Sequence, residues 1–124
     1  MKKSFTLRGR SIFREVIIKG VRIQERNIRG YILRCDNSNM NQNLYNQLND
    51  ASNIKIGITL NKKLGKAHER NRVKRRIRTI CRTLLERMNN GFCIVIRPDK
   101  GFSDLSFIEE EEQIVRMLIR AGIM

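Results

Sequence analysis

The chain has 124 residues, 40% of them hydrophobic and 31% charged, which is enough for one domain around one modest core. Its 26 Lys and Arg residues outnumber 12 Asp and Glu, and the formal net charge of +14 favours a polyanionic partner: nucleic acid, an anionic membrane or an acidic protein. No apolar run approaches the roughly 20 residues that span a bilayer, so a membrane is the weakest of these partners.

The first predicted element is a short helix over residues 12–19, which Ser11 can cap and Gly20 can end. Extended chain follows, with a strand over about residues 27–34. Residues 36–53 contain seven Asn and almost no apolar pattern. They are predicted as a flexible loop that joins two strands.

A strand over residues 54–60 is followed, after Gly65, by the main helix, which the Asn90-Gly91 pair is predicted to end. At about 100° per residue, one stripe of this helix is apolar and predicts the buried face: Val73, Ile77, Ile80, Cys81, Leu84, Leu85 and Met88. Polar and basic residues share one flank of the stripe: Asn71, Lys74, Arg75, Arg78 and Arg82. Arg72 and Arg76 fall on the other side.

Residues 92–98 are predicted as a buried strand, and the last helix starts with a capping box formed by Ser106 and Glu109. The acids Glu110 to Glu112 are interpreted as charge that suits the start of a helix. The order helix, one or two strands, loop, strand, long helix, strand and helix predicts a small single α+β domain over residues 1–124.

The sequence offers no catalytic or metal-binding constellation, since the only histidine is His68 and it lies among arginines. Cys35, Cys81 and Cys93 are odd in number and lack CxxC spacing, which indicates reduced thiols. The N-terminus has no continuous apolar stretch of the kind found in a signal peptide. We therefore expect a cytoplasmic protein without a small-molecule substrate.

Positive charge is concentrated between Lys62 and Arg82, where ten Lys or Arg accompany one acid, Glu69. A solvent-exposed helix face normally carries both acidic and basic side chains. Phosphate binding therefore explains this basic cluster better than surface solubility does. Phe13 and Tyr31 are predicted near a sheet surface, where unpaired bases could stack on them. Phe13 is equally well explained as a residue that packs the first helix onto the sheet.

Residues 55–78, KIGITLNKKLGKAHERNRVKRRIR, closely resemble the central motif of the protein subunit of bacterial ribonuclease P. The matching positions are Gly57, Lys62, Lys63, Gly65, Ala67, Arg70, Asn71, Arg72, Val73, Lys74, Arg75 and Arg78. The resemblance extends over nearly the whole chain, from Leu7, Phe13, Val16 and Gly20 in the first helix region to the last strand and helix. Ile17 departs from the family, which commonly has a second aromatic there, and Asn61 stands where Ser is usual.

The resemblance implies a mixed sheet of about four strands packed by three helices, similar to a ribosomal small-subunit protein domain. It also implies an unusual left-handed β-α-β crossover. By the same resemblance, the chain is the protein component of an enzyme that removes the 5′ leader from precursor tRNA. Its partners are then ribonuclease P RNA and precursor tRNA, and Mg²⁺ is bound mainly by the RNA, which performs the hydrolysis. The alternative is a ribosomal or RNA-chaperone protein that binds folded RNA structurally.

Two sets of site residues follow from the resemblance, and neither set is catalytic or binds a metal. The set expected to contact the RNA subunit is Lys62, Lys63, Lys66, Arg70, Asn71, Arg72, Arg75, Arg76 and Arg82. The set expected to border a cleft for the single-stranded leader is Phe13, Ile17, Tyr31, Asn71, Lys74 and Arg78. Because Ile17 replaces an aromatic residue, we expect a weaker stacking platform at that position.

Overall fold

The computed structural model describes residues 5–34 and 54–124, so Cys35 and the predicted loop over residues 36–53 lie outside the described residues. The described part contains three α-helices: α1 (Arg10–Lys19), α2 (Ala67–Leu84) and α3 (Phe107–Arg120). It also contains four strands: β1 (Val21–Gln24), β2 (Ile28–Arg34), β3 (Ile54–Ile58) and β4 (Phe92–Pro98). The strands form one mixed sheet in the order β1-β2-β4-β3, which confirms the predicted fold class.

The sheet combines antiparallel and parallel pairing. Strand β2 pairs antiparallel with both β1 and β4, whereas β3 runs parallel to β4. Parallel neighbours need a crossover connection, and α2 provides it between β3 and β4. The left hand of this crossover stays a prediction. The N-terminal segment covers the outer edge of β3, because Thr6 bridges to Ile56 and the Leu7 amide donates to the Ile56 carbonyl at 3.0 Å.

Each face of the sheet has its own core, since alternate residues of a strand point to opposite sides. Ile28 and Ile32 of β2 belong to the core that α2 and α3 cover. Tyr31 and Leu33 belong to the core on the other face, where α1 contributes its own apolar side chains, Ile12 and Val16. The sheet therefore separates α1 from α2. Cys81 and Cys93 are buried, one in each core, in keeping with their predicted use as small hydrophobic residues, and burial raises the pKa of Cys81 to about 12.

The predicted start of α1 is wrong by two residues. Ser11 lies inside the helix and caps nothing, because Gly9 is the N-cap residue. Gly9 has a φ of 102°, a left-handed conformation that glycine adopts without steric cost, and its carbonyl accepts from the Phe13 amide at 3.0 Å. The predicted end is confirmed, since Gly20 donates its amide to the Val16 carbonyl.

Two predicted boundaries around the basic segment also extend too far. Strand β3 ends at Ile58 rather than residue 60, and Asn61 then caps a 3₁₀ turn over Lys62–Leu64. Helix α2 ends at Leu84, well before Asn90-Gly91, and the chain tightens into a 3₁₀ turn over Leu85–Arg87. A further 3₁₀ helix over Lys100–Asp104 was not predicted.

Candidate nucleic-acid interface

The basic helix α2 starts from a turn that requires glycine. Gly65 has a φ of 142°, and a Cβ atom at this position would lie 2.3 Å from Glu69 Oε2. One turn earlier, the Asn61 side chain accepts a hydrogen bond from the Lys63 amide at 3.0 Å. The unusual Asn61 thus performs a capping role that Ser can also perform.

The apolar stripe of α2 is buried as predicted. Val73, Ile77, Ile80, Cys81 and Leu84 are buried against the sheet, together with Met88 just after the helix, while Leu85 is half-buried. Because a helix turns by about 100° per residue, burying this stripe directs the two flanks away from the core. The geometry of the helix therefore follows from the sequence pattern.

The cations of the basic segment divide into two groups by their contacts with protein. Within residues 5–34 and 54–124, seven predicted site residues make no side-chain hydrogen bond or ion pair to protein: Lys62, Lys63, Lys66, Asn71, Lys74, Arg75 and Arg78. The side chain of Arg70 donates to the Gly65 carbonyl at 3.4 Å, and Arg72 donates to the Ser103 carbonyl at 3.3 Å. Arg82 lies over the Phe5 ring, 5.9 Å from its centroid.

Arg76 has the strongest internal attachment. Its Nε lies 2.8 Å from Oε1 of Glu110, whose side chain is fully buried, and its guanidinium lies 5.8 Å from the centroid of the Phe107 ring. Burial raises the pKa of Glu110, while the positive charges of Arg76 and Arg72 oppose this shift. Glu110 does lie in the first turn of α3, as predicted, but its carboxylate faces α2 instead of solvent, which the sequence did not indicate. Glu109 does form the predicted capping box with Ser106.

Three predicted leader-binding residues come together on the α1 face of the sheet. Phe13 and Ile17 are half-buried against the core that contains Tyr31. The Phe13 ring lies on β3 at Gly57, where an added Cβ atom would be 2.4 Å from Phe13 Cζ. Tyr31 is only 8% exposed, so most of its ring is unavailable to a base, whereas Phe13 keeps an accessible part.

The other three leader-binding candidates lie on α2, which packs on the opposite face of the sheet. Within the described ranges, no hydrogen bond or ion pair links Asn71, Lys74 or Arg78 to the Phe13 cluster. The polypeptide chain itself connects the Phe13 cluster to the candidates on α2, since β3 passes beneath Phe13 and continues into the basic segment. Gly57 and Lys62 are five residues apart, at most about 17 Å, so one short strand of RNA can reach both.

Sequence reasoning missed three of the four cations in a second basic group, since only Lys63 was among the predicted site residues. Arg29, Arg97, Lys63 and Lys100 line a cavity of about 350 Å³ together with neutral residues and Asp99. Alternation along β2 places Arg29 on the same side as Tyr31, and that much was readable from the sequence. The position of Arg97 opposite Arg29 depends on the register of β2 with β4, which no local pattern contains.

Neither metal-ligand clusters nor membrane-spanning helices are found in the described ranges. No group of three or more His, Cys, Asp or Glu side chains there could hold a metal ion. No helix there is long and apolar enough to cross a membrane. The side chain of His68 is 77% exposed and lies 3.9 Å from Glu69 Oε1.

Comparisons with known proteins converge on one family. The family model described as Ribonuclease P matches residues 1–122. The chain is 28% identical over 124 residues to the "Ribonuclease P protein component" of Symbiobacterium thermophilum, covering all of this chain and 96% of that protein. It superposes on the RNase P protein from Thermotoga maritima with a TM-score of 0.73 and 26% identity, over 93% of this chain and 96% of that one. The Staphylococcus aureus RNase P protein has the same fold, with a TM-score of 0.75, 21% identity and 98% of both chains covered.

Proposed function

Since the chain belongs to the ribonuclease P protein family, we propose that it is the protein subunit of the ribonucleoprotein that removes the 5′ leader from precursor tRNA. Its direct partners are then the RNA subunit and precursor tRNA, and it acts in the cytoplasm. The observation that carries this proposal is the set of seven site residues between Lys62 and Arg78 whose side chains have no protein partner among the described residues.

In this proposal, the hydrolysis belongs to the RNA subunit and its Mg²⁺, as the family resemblance implies. The role of the protein is to bind and orient the RNA. Lys62, Lys66 and Arg75 neutralise phosphates of folded RNA, a contribution that is independent of sequence and depends on salt. The half-buried Phe13 offers a stacking surface for an unpaired base of the leader, because unpaired strands are the parts of RNA whose bases are open to aromatic side chains.

The contacts of the arginines refine the predicted RNA-binding set. Arg75 is exposed, and its side chain makes no hydrogen bond or ion pair among the described residues, so its whole guanidinium is available to a phosphate. Arg76 is held by Glu110 and lies over Phe107, and we expect it to support the interface mainly by fixing α2 against α3. Arg72 and Arg70 each keep most of their five donors after one bond to a backbone carbonyl.

The deciding experiment is reconstitution of the chain with its RNA subunit. The complex should cleave precursor tRNA at physiological Mg²⁺ concentration, at which neither component alone is active. Cleavage by RNA-free protein that a single carboxylate mutation abolishes would overturn the assignment of the chemistry to RNA.

The alternative of a ribosomal or RNA-chaperone protein is not favoured by the family match over residues 1–122. It makes a different prediction for the RNA that copurifies with the chain. We expect the RNA subunit of ribonuclease P to be the main species after purification under native conditions. Predominant recovery of ribosomal RNA would support the alternative.

A further inference from the structure

Helix α3 has a second apolar stripe, on the side that faces away from the core. The inner side of the helix, which includes Ile114 and Leu118, is fully buried. On the outer side, Ile108 and Ile119 are 69% and 55% exposed, and Val115 between them is half-buried. An amphipathic surface helix needs only one apolar side, so this outer stripe is available to pack on another surface.

The spacing of the outer stripe is that of a helix that packs lengthwise on another helix. Positions 108, 112, 115 and 119 are separated by four, three and four residues, as in the seam of a coiled coil. At about 100° per residue, the four side chains lie within an arc of about 60°. Exposed apolar residues that are scattered singly are ordinary, whereas a continuous line of them indicates a contact surface.

The charge along α3 changes sign between its two halves, and this favours one direction of pairing. The first half carries Glu109, Glu111 and Glu112 at the surface, and the second half carries Arg116 and Arg120. Two such helices that run in opposite directions place the acidic half of each beside the basic half of the other. A parallel pair would instead bring like charges together. The charge pattern therefore makes α3 complementary to an antiparallel copy of itself.

The apolar stripe and the charges agree on one register. With Ile108 opposite Ile119 of a second copy, Glu112 lies opposite Val115 of that copy and next to its Arg116. Glu112 and Arg116 are both about 60% exposed, and their carboxylate and guanidinium are 3.8 Å apart within one helix, so both can also bond across a dimer. A two-fold axis repeats every contact, as in the isologous interfaces of most homodimers.

The high net charge of the chain also favours this part of the surface. Two copies that each carry +14 repel each other, but four of the 12 acids are consecutive at the start of α3. At about 0.15 M salt, charges separated by more than about 8 Å are largely screened, whereas charges in contact across an interface are not. The contacts of α3 therefore decide whether two copies associate.

A dimer through α3 leaves the basic segment accessible. Arg76 and Arg72 are on the flank of α2 that is turned toward α3 and the 3₁₀ helix before it, since they contact Glu110 and the Ser103 carbonyl. Cations without a protein partner among the described residues, such as Lys74, lie on the opposite flank of α2. The same dimer can therefore bind RNA on each of its two copies.

We propose that the outer side of α3, defined by Ile108, Glu112, Val115 and Ile119, is the interface of a two-fold symmetric dimer with the two helices antiparallel. A helix of 14 residues is about 21 Å long, which gives an interface at the small end of the usual range. The dimer is therefore weak and depends on protein concentration. This inference goes beyond the proposed function, and either can fail without the other.

The first measurement is sedimentation equilibrium of the full, RNA-free chain at about 0.15 M salt, over about a hundredfold range of concentration. The wild type should show a reversible equilibrium between monomer and dimer. Arg116→Glu reduces the formal net charge of +14 and with it the general repulsion between copies. It should nevertheless raise the dissociation constant of the dimer about tenfold or more, because it places two acids together at both symmetric contacts.

Arg14→Glu is the matched control, because it makes the same change of charge at an exposed position of α1, across the sheet from α3. It should not weaken the dimer. The melting temperatures of Arg116→Glu and Arg14→Glu should both be close to that of wild type, since both side chains are exposed.

The second measurement mixes two charge variants. Glu112→Arg alone should weaken the dimer as Arg116→Glu does, because it places two cations together at each contact. An equal mixture of the two variants should associate with about the wild-type dissociation constant. In the mixed dimer, each copy supplies the charge that the other lacks, and this holds at both contacts only if the helices are antiparallel in the proposed register.

Three results would overturn the inference. A wild type that is monomeric at every concentration would leave the outer stripe to a partner of another sequence. Wild-type dimerisation of Arg116→Glu and Glu112→Arg would place the dimer contact on another surface. A mixture that associates no better than the separate variants would exclude the antiparallel register. None of these results bears on cleavage of precursor tRNA by the reconstituted complex, which tests the proposed function separately.

Discussion

The outer end of the Phe13 ring lies against the backbone at Gly57: an added Cβ atom there would lie 2.4, 2.7 and 3.1 Å from Cζ, Cε2 and Cε1 of the ring. The ring reaches the backbone of β3 because glycine leaves that space empty, yet it stays only half-buried. The two interpretations of Phe13, a packing residue or a stacking surface, are therefore compatible. One side of the ring contacts the sheet, and the accessible part is free for a base.

Gly57→Ala should displace the Phe13 ring without straining the backbone, since Gly57 does not have a left-handed φ. Overpacking of this kind costs about 1–3 kcal/mol of the free energy of unfolding. In a Phe13→Ala background the same substitution should cost much less, because the clashing ring is gone. Urea unfolding of both single variants and the double variant measures this coupling. Equal costs in the two backgrounds would show that the ring moves aside freely.

Phe13→Ala should weaken binding of precursor tRNA by the holoenzyme by about 1–3 kcal/mol, the contribution of one stacked base. Because Ile17 stands where the family commonly has a second aromatic, we expect the low end of this range. Mature tRNA, which has no leader, should bind as before. The measurement is the ratio of the two affinities, with thermal melting alongside. An unchanged ratio together with a lower melting temperature would show that Phe13 packs the fold and does not contribute to leader binding.

Tyr31→Ala should act mainly on stability, because the side chain is only 8% exposed and lies within the α1 core. Truncating a large buried ring costs about 3 kcal/mol or more. Tyr31→Phe is the matched control, since it keeps the ring and removes only the hydroxyl near Arg29. Urea unfolding should give a much lower free energy of unfolding for Tyr31→Ala than for Tyr31→Phe. A Tyr31→Ala protein of wild-type stability with weakened precursor binding would mean that the ring is open to RNA.

The sequence predicted those features that depend on local periodicity. The buried stripe of α2, from Val73 to Leu84, follows from helical spacing, and the capping box is readable from the spacing of Ser106 and Glu109. Helix ends were less predictable. Gly9 replaced Ser11 as the start of α1 because a glycine with positive φ leads into the helix two residues earlier than the expected cap.

Features that depend on packing between distant segments were not predictable from spacing. Glu110 looked like one of several acids at a helix start, yet the packing of α3 on α2 buries it beside Arg76. The opposition of Arg29 and Arg97 likewise depends on strand register. The ribonuclease P motif identified the basic segment and its family, but it could not distinguish the free Arg75 from the internally paired Arg76.

Arg75→Ala and Arg76→Ala should therefore have different effects although the residues are neighbours. Arg75→Ala should preserve stability, weaken binding to the RNA subunit, and reduce the salt slope of log affinity by roughly 0.7–0.9. Arg76→Ala should lower the free energy of unfolding by about 2 kcal/mol, because it leaves the buried Glu110 without its nearest cation. This value is below that for a fully buried pair, since Arg76 is 25% exposed. If both variants are stable and both lower the salt slope equally, the two arginines contact RNA alike.

Glu110 should make the protein less stable as pH rises above about 4.5, the ordinary pKa of its carboxyl group. Burial raises the pKa of Glu110 in the fold, so between the unfolded and folded pKa values the folded state binds more protons than the unfolded state. The free energy of unfolding then decreases with pH in that interval. Glu110→Gln removes the ionisation, so its stability relative to wild type should increase as pH rises from about 4.5 through the raised pKa, and then level off.

Glu109→Gln is the control with the opposite sign. Hydrogen bonds from the Ser106 amide, and then from its hydroxyl, lower the pKa of Glu109, so its stabilising effect is present above about pH 4.5 and is lost as pH falls through the lowered pKa. Relative to wild type, Glu109→Gln should therefore lose stability as pH rises across the interval below about 4.5. Urea unfolding across this pH range gives both slopes. Parallel curves for Glu110→Gln and wild type would show that Arg76 offsets the burial of Glu110 completely, contrary to this prediction.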